Sequence, residues 1–109
     1  MRHLALLLSL LFLACSSSSY LTYRPAGSTD PPWKIEAKWN NLSNHLTVKI
    51  DGAEVLDTGV SFFSGKGDAE GTYKGKKVVA QVIKTSGFLG DKYTVQISVD
   101  GEMAGQFEF

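Results

Sequence analysis

Apolar and polar residues alternate along several segments of this chain, and this alternation restricts the fold more than any other feature. Trp33, Ile35, Ala37 and Trp39 occupy every second position, with charged residues between them. The same period of two recurs in residues 45–50 and 92–98, while residues 78–83 are apolar on both faces. Alternate side chains of a β-strand point to opposite faces of its sheet. The pattern therefore predicts half-buried strands, with residues 78–83 as a central strand.

Turn signals separate these segments. Ten of the eleven glycines lie at or beyond Gly52, and no segment carries the apolar stripe of a helix. A chain of 109 residues has room for one domain. We therefore predict that residues 33–109 form an all-β domain, either a small antiparallel β-sandwich or a partly open barrel of six to eight short strands.

The pair Asp51-Gly52 predicts a two-residue hairpin loop of type I′. This loop places Ile50 opposite Ala53 and Lys49 opposite Glu54, so that apolar residues meet and opposite charges meet. Continued without interruption, the same register pairs Val48 with Val55.

The pair Asp100-Gly101 is expected to form a different turn. A two-residue loop would place Val95 opposite Gln106 and would bury a polar group. A three-residue loop over Val99-Asp100-Gly101 instead pairs Tyr93 with Phe107. We therefore predict a type I turn with a G1 bulge at Gly101.

Charge and apolar content exclude two classes of protein. Basic and acidic side chains number 11 each, so there is no electrostatic footprint for nucleic-acid binding. The hydrophobic fraction of 43% is too high for a disordered chain. Ten of these hydrophobic residues lie in residues 4–14, a run too short for a membrane-spanning helix, which needs about 20 residues. Behind the basic start, this run suits a cleaved secretory signal peptide over residues 1–14.

Cys15 is the only cysteine and so has no disulfide partner within the chain. The segment Leu11-Phe12-Leu13-Ala14-Cys15 resembles the lipobox of bacterial lipoproteins, with Phe12 where that family most often has Leu. The resemblance implies cleavage before Cys15 and acyl chains such as palmitate on this residue, a stable anchor when two or more are present. Ser16 stands where Asp retains enterobacterial lipoproteins in the inner membrane, so the implied location is the outer membrane, facing the periplasm. The alternative is an ordinary secretory signal cut near Ser16.

Residues 15–32 are rich in Ser, Thr, Gly and Pro and show little apolar periodicity. Such a segment buries too little surface to offset its ordering entropy. We expect it to be a flexible tether that carries the lipidated N-terminus. Tyr20, Leu21 and Tyr23 could instead lie in the membrane interface.

Asp57-Thr58-Gly59 is the one motif with catalytic potential. Together with the preceding strand and turn, residues 48–59 resemble the active-site entry of retroviral-type aspartic proteases. The resemblance implies that Asp57 would share a proton with a second carboxylate, supplied by a homodimer. Val60 stands where that family has Ala or Ser, and no second family segment follows. A turn in which Asp57 caps its own backbone explains the motif as well.

His45 is the only histidine beyond the signal peptide and is expected on the solvent face of its strand. One histidine supports neither a His-based catalytic triad nor a His-rich metal site. We therefore expect no metal site and no cofactor.

The loop of residues 86–91 is the expected contact surface. Phe88 and Leu89 are adjacent apolar residues bracketed by glycines. Such a pair either folds over an open end of the domain as a plug or stands exposed to a partner. The sequence thus predicts a lipid-anchored binding or structural module of the bacterial envelope, with an envelope protein or glycan as its partner. The alternative is a hydrolase that uses Asp57.

Overall fold

The computed structural model describes residues 16–109, which fold into eight antiparallel strands without a helix. Two four-stranded sheets pack against each other, in the orders β1-β2-β3-β4 and β5-β6-β7-β8. The strands are β1 (Ser16–Tyr23), β2 (Trp33–Asn40), β3 (His45–Ile50), β4 (Ala53–Gly59), β5 (Lys66–Tyr73), β6 (Lys76–Gly87), β7 (Gly90–Val99) and β8 (Glu102–Glu108). The prediction of an all-β, sandwich-like domain is confirmed.

The core lies between the sheets and consists of the side chains that the period of two selects. Strand β2 alternates buried and more exposed positions along its whole length, and β7 does the same from Tyr93 onward. Among the described residues, no polar or charged residue is classed as buried. The largest fully buried side chains are Trp39, Ile35, Leu46, Ile50, Ile97, Val48, Val78, Val82 and Val95. Strand β6 is an internal strand, as predicted for residues 78–83.

The N-terminal segment differs from the prediction of a tether over residues 15–32. Ser16–Tyr23 forms β1 and pairs with β2 from Ser16 opposite Asn40 to Tyr23 opposite Trp33. Two side chains attach this edge strand to the second sheet. Leu21 lies against the backbone at Gly105, and the Tyr23 hydroxyl donates a hydrogen bond of 2.9 Å to Glu102. The β-domain therefore includes residue 16, and only the connection of residues 24–32 lies between β1 and β2.

Both Asp-Gly pairs form the same turn, so the predicted difference between them is wrong. Asp51 and Gly52 have φ angles of 51° and 81°, and Asp100 and Gly101 have φ angles of 47° and 83°. Positive φ at both central residues defines the type I′ turn. The predicted I′ turn at Asp51-Gly52 is therefore correct, and the three-residue loop at Val99-Asp100-Gly101 is not.

The two hairpins also share a β-bulge that the predicted registers lack. The β3–β4 register shifts between Val48 and Lys49, so Val48 pairs with Leu56. The β7–β8 register shifts between Ile97 and Ser98. As a result Tyr93 exchanges backbone hydrogen bonds with Phe109, at 3.0 and 2.8 Å, and does not pair with Phe107. Without a bulge, the register that each turn starts would place apolar side chains of the second strand on the outer face. The extra residue of the bulge directs them back to the core.

Contacts with a third strand hold both turns in place. The Lys34 amide donates to the Asp51 carboxylate at 2.9 Å, and the Lys77 amide donates to the Asp100 carboxylate at 2.7 Å. In return, each aspartate amide donates to the carbonyl of the same lysine, at 2.9 and 2.8 Å. The three-stranded units β2–β4 and β6–β8 therefore share the same turn, a bulge in the same hairpin and the same backbone contact to their first strand.

Candidate functional site

Four large apolar side chains are exposed in the loops at one end of the sandwich. Leu42 lies between β2 and β3, Phe63 between β4 and β5, and Phe88 and Leu89 between β6 and β7. Their exposed fractions are 76%, 86%, 103% and 97%. We call these four residues the apolar end. Exposed apolar patches of this kind commonly mark interaction surfaces.

The topology brings these loops together because the two sheets are connected at this end. Strand β4 ends at Gly59, and β5 begins at Lys66 after a six-residue connection. This connection packs closely against β5, since a methyl group at Gly67 would overlap Val60 and lie 2.7 Å from the Ser61 carbonyl oxygen. Ser16 pairs with Asn40 at the same end. The first residue of β1 and the apolar end therefore share one end of the domain.

Phe88 and Leu89 form the tip of a hairpin that projects from the sandwich. Towards its tip, the hairpin makes its last backbone hydrogen bonds with neighbouring elements at two places. The Lys84 amide donates to the Gly65 carbonyl at 2.8 Å, and Tyr93 pairs with Phe109. Beyond them, β6 and β7 continue as an isolated two-stranded ribbon to Gly87 opposite Gly90. A plug at this loop is therefore excluded by the structure, because both tip side chains are fully exposed.

Polar contacts stiffen the projecting hairpin. The Ser86 hydroxyl donates a hydrogen bond of 2.9 Å to Asp91, which it faces across the ribbon. The Lys84 ammonium lies 3.6 Å from the other oxygen of Asp91. Gly90 has a φ angle of 124°, in a region that favours glycine. These features hold the apolar tip away from the body of the domain.

The opposite end of the sandwich has a different chemical character. Its hairpin turns are Asp51-Gly52, Lys74-Gly75 and Asp100-Gly101. The Lys76 ammonium lies 3.7 Å from Asp100 next to these turns. The domain is therefore polarised, with charged turns at one end and apolar loops at the other.

An aromatic cluster supports the apolar end from below. The ring centroid of Trp39 lies 6.0 Å from that of Phe62 and 4.9 Å from that of Tyr93. The Trp39 indole N–H is buried and has no hydrogen-bond partner. Phe109 stacks on Phe107 with centroids 6.3 Å apart and borders a groove beside the projecting hairpin. The loops of the apolar end thus rest on a rigid aromatic layer.

Asp57 lies apart from the apolar loops, on the exposed outer face of edge strand β4. It contacts Nε2 of His45 and lies 3.4 Å from the Thr47 hydroxyl. The motif is part of a strand, so the predicted turn around Asp57 is wrong. His45 is only partly exposed and faces outward, as expected. The sequence missed this His45–Asp57 pair, although the hairpin pairing of β3 with β4 could have indicated it.

The pKa values of Asp57 and Glu54 depend on one another. Hydrogen bonds from His45 and then from Glu54 lower the pKa of Asp57. The hydrogen bond to Asp57, followed by the repulsion of its charge, raises the pKa of Glu54. Both carboxyl groups are exposed to solvent. Asp57 and Glu54 thus form a hydrogen-bonded carboxyl pair on an exposed strand face, whereas the protease mechanism requires such a pair at a substrate site.

Replacement of His45 by Ala is expected to raise the pKa of Asp57 towards its ordinary value, because the hydrogen bond that is the largest cause of the lowering is removed. Asp57 stabilises the fold above its ordinary pKa, and this contribution is lost as the pH falls through the lowered value. Titration of the Asp57 carboxyl carbon by NMR measures the change. Thr47→Val is the matched control and should raise the pKa less. An unchanged pKa in His45→Ala would show that the pair does not form in solution.

Comparison with protein-family models, with curated protein sequences and with solved structures finds no match to this chain. Across residues 16–109, no helix has the length and apolar character needed to cross a membrane. Within the same residues, no group of three or more His, Cys, Asp or Glu side chains is arranged to hold a metal ion. Cys15 and the signal peptide predicted for residues 1–14 lie outside the described part of the chain.

Of the residues singled out from the sequence, the structure brings Phe88 and Leu89 together and separates them from Asp57. Leu42 and Phe63 were missed as members of the same surface. The sequence around each residue indicates only that it lies in a turn, since Leu42 lies in an Asn-rich segment and Phe63 precedes Ser64-Gly65. Their grouping with Phe88 depends on strand order, which the alternation of residues does not define.

Proposed function

We propose that this protein is a lipid-anchored lipoprotein of the bacterial envelope, a binding or structural accessory module at the periplasmic face of the outer membrane. The observation that carries the proposal is the position of β1. Its first residue, Ser16, directly follows Cys15 of the lipobox-like segment and lies at the same end as the apolar loops. An acyl anchor on Cys15 would therefore hold that end of the domain next to the bilayer.

The apolar end supports a binding role more than a catalytic one. Phe88 and Leu89 are presented to solvent on a stiffened hairpin, which suits contact with another component of the envelope. Asp57 lies on an open strand face in contact with His45, and this arrangement gives little support to the alternative of an aspartic hydrolase. We infer a module that is positioned by its anchor and acts through its loops.

Metabolic labelling with a fatty acid tests the anchor. The full chain is expected to incorporate the label and to fractionate with the outer membrane, whereas Cys15→Ser should lose the label and become water-extractable. Ser16→Asp is the matched control for location, since it should keep the label but move the protein to the inner membrane by the enterobacterial rule. Labelling that persists in Cys15→Ser would contradict the proposal.

A further inference from the structure

We propose that the apolar end docks onto the same bilayer that holds the anchor, with Phe88 and Leu89 inserted beneath the lipid headgroups. This inference rests on the proposed function, because acylation of Cys15 supplies both the membrane and the orientation. It goes further by assigning the bilayer surface as the ligand of the β6–β7 hairpin. The protein would then be held by its acyl chains and by its own side chains.

The position of the anchor relative to the hairpin is the first argument. No tether separates the lipobox-like cysteine from the fold, because one peptide bond links Cys15 to the first residue of β1. Consecutive α-carbons are about 3.8 Å apart, so an acylated Cys15 places the start of β1 within the headgroup region. The apolar end lies at this end of the sandwich. The charged turns lie at the other end, away from the membrane.

The reach of the hairpin is the second argument. Three residue pairs, from Thr85 opposite Lys92 to Gly87 opposite Gly90, lie beyond the last contacts with neighbouring elements. At about 3.3 Å per residue the backbone of the tip stands roughly 10 Å clear of the sandwich. The headgroup layer on each side of a bilayer is about 5 to 8 Å thick. The tip is therefore long enough to cross the headgroups when the anchor fixes the domain at their level.

The distribution of side chains is the third argument. The apolar end consists of exposed side chains on three separate connections, so it suits contact with an extended surface. Lys92 lies on the projecting ribbon, set back from the tip, and Lys84 at the base of the ribbon is paired with Asp91. The Lys92 ammonium can remain among lipid phosphates while Phe88 and Leu89 enter the hydrocarbon. This order of apolar tip and basic flank matches the order of layers in a bilayer.

A fluorescent label that responds to polarity tests the docking. Leu89→Cys supplies one free thiol in the acylated protein, because the Cys15 sulfur is blocked by its acyl chain. The protein is reconstituted in vesicles of phosphatidylethanolamine and phosphatidylglycerol that carry a nitroxide on the lipid acyl chain. We expect the label at position 89 to shift to the blue and to be quenched. Ala53→Cys, next to a charged turn at the opposite end, is the matched control and should show neither change.

A second measurement uses the chain without its anchor. Vesicle sedimentation of Cys15→Ser is compared with that of Cys15→Ser carrying Phe88→Ser as well. Removal of one fully inserted aromatic side chain should lower the partition coefficient at least about tenfold. Equal partitioning of the two proteins would overturn the insertion of Phe88. The thermal midpoints of both proteins should agree, because Phe88 makes no core contact.

The outcomes separate the docking from the anchor. An acylated protein whose label at position 89 stays unquenched overturns the docking and leaves the proposed function standing. A blue shift in native envelopes but not in protein-free vesicles identifies a protein partner and also overturns the docking. If Cys15 carries no fatty acid, quenching at position 89 in the Cys15→Ser chain keeps the docking and removes the anchor. The absence of both signals overturns both proposals.

Discussion

Replacement of Trp39 by Ala is expected to lower the free energy of unfolding by about 3 to 5 kcal/mol, the usual cost of removing a fully buried aromatic side chain. Trp39 is 1% exposed and packs against Phe62 of the β4–β5 connection and against Tyr93 of β7. It therefore joins both sheets and one loop. A domain of this size has roughly 5 to 15 kcal/mol of total stability, so the variant should lose a large part of it.

The matched control for this prediction is Trp39→Phe. Phenylalanine keeps an aromatic ring in the core but removes the indole N–H, which is buried without a partner. An unpaired buried donor costs about 1 to 3 kcal/mol, so its removal offsets part of the lost volume. Thermal and urea unfolding of the Cys15→Ser chain measures both variants, and Phe should cost less than half as much as Ala. Equal losses would mean that the indole N–H finds a partner in solution.

The strands of the domain could be predicted from the sequence because each has one buried face. Trp33 and Ile35 show the principle, since both are buried while Lys34 between them is exposed. Strand β1 shows its limit. Its polar composition predicts disorder, and the residues that attach it, Leu21 and Tyr23, meet partners near the C-terminal end of the chain. Such long-range contacts leave no local pattern.

The turn at Asp100-Gly101 shows a second limit of sequence reasoning. An uninterrupted two-residue register would bury Gln106, and a three-residue turn is one way to avoid this. The structure instead keeps the type I′ turn, which Asp100 fixes through the Lys77 backbone, and places the extra residue in β8. A contact to a third strand selected the turn, and the bulge restored the buried face.

The candidate surface could be predicted only in part for a related reason. The glycines that bracket Phe88 and Leu89 indicate an exposed apolar loop or a plug, and burial decides between them. Leu42 and Phe63 join this surface only through the topology of the two sheets. The lipidation of Cys15 stays a prediction from its lipobox-like segment. Because β1 begins directly after Cys15, an acyl anchor there would hold the apolar end next to the bilayer. A flexible tether would not orient the domain in this way.

Deletion of residues 16–23 is expected to abolish cooperative unfolding of the domain. The deletion removes β1 along its full pairing with β2 and leaves β2 as an unprotected edge. It also removes two half-buried side chains, Leu21 and Tyr23, which pack against the core. A fully buried apolar side chain contributes about 1.5 to 3 kcal/mol, so two half-buried ones together contribute roughly that amount, a substantial part of the smaller values of total domain stability. Urea unfolding followed by far-ultraviolet circular dichroism measures the loss, and a tether would have been removed without effect.

Substitutions at two adjacent positions also distinguish a paired strand from a flexible tether, and they do so without shortening the chain. Leu21→Ser should lower the free energy of unfolding by about 1 to 3 kcal/mol, because Leu21 points between the sheets and fills the space above Gly105. Tyr20→Ser is the matched control, since the Tyr20 side chain is 65% exposed on the opposite face of β1. The Lys34 ammonium lies 4.8 Å from the centroid of the Tyr20 ring, so this change should lower the stability by less than about 1 kcal/mol. A flexible segment would tolerate both changes equally, so the inequality between neighbours is the signature of a paired strand. Because β1 is paired up to Ser16, the same inequality also supports the placement of Ser16 at the end of the domain that carries the apolar loops, on which bilayer docking depends.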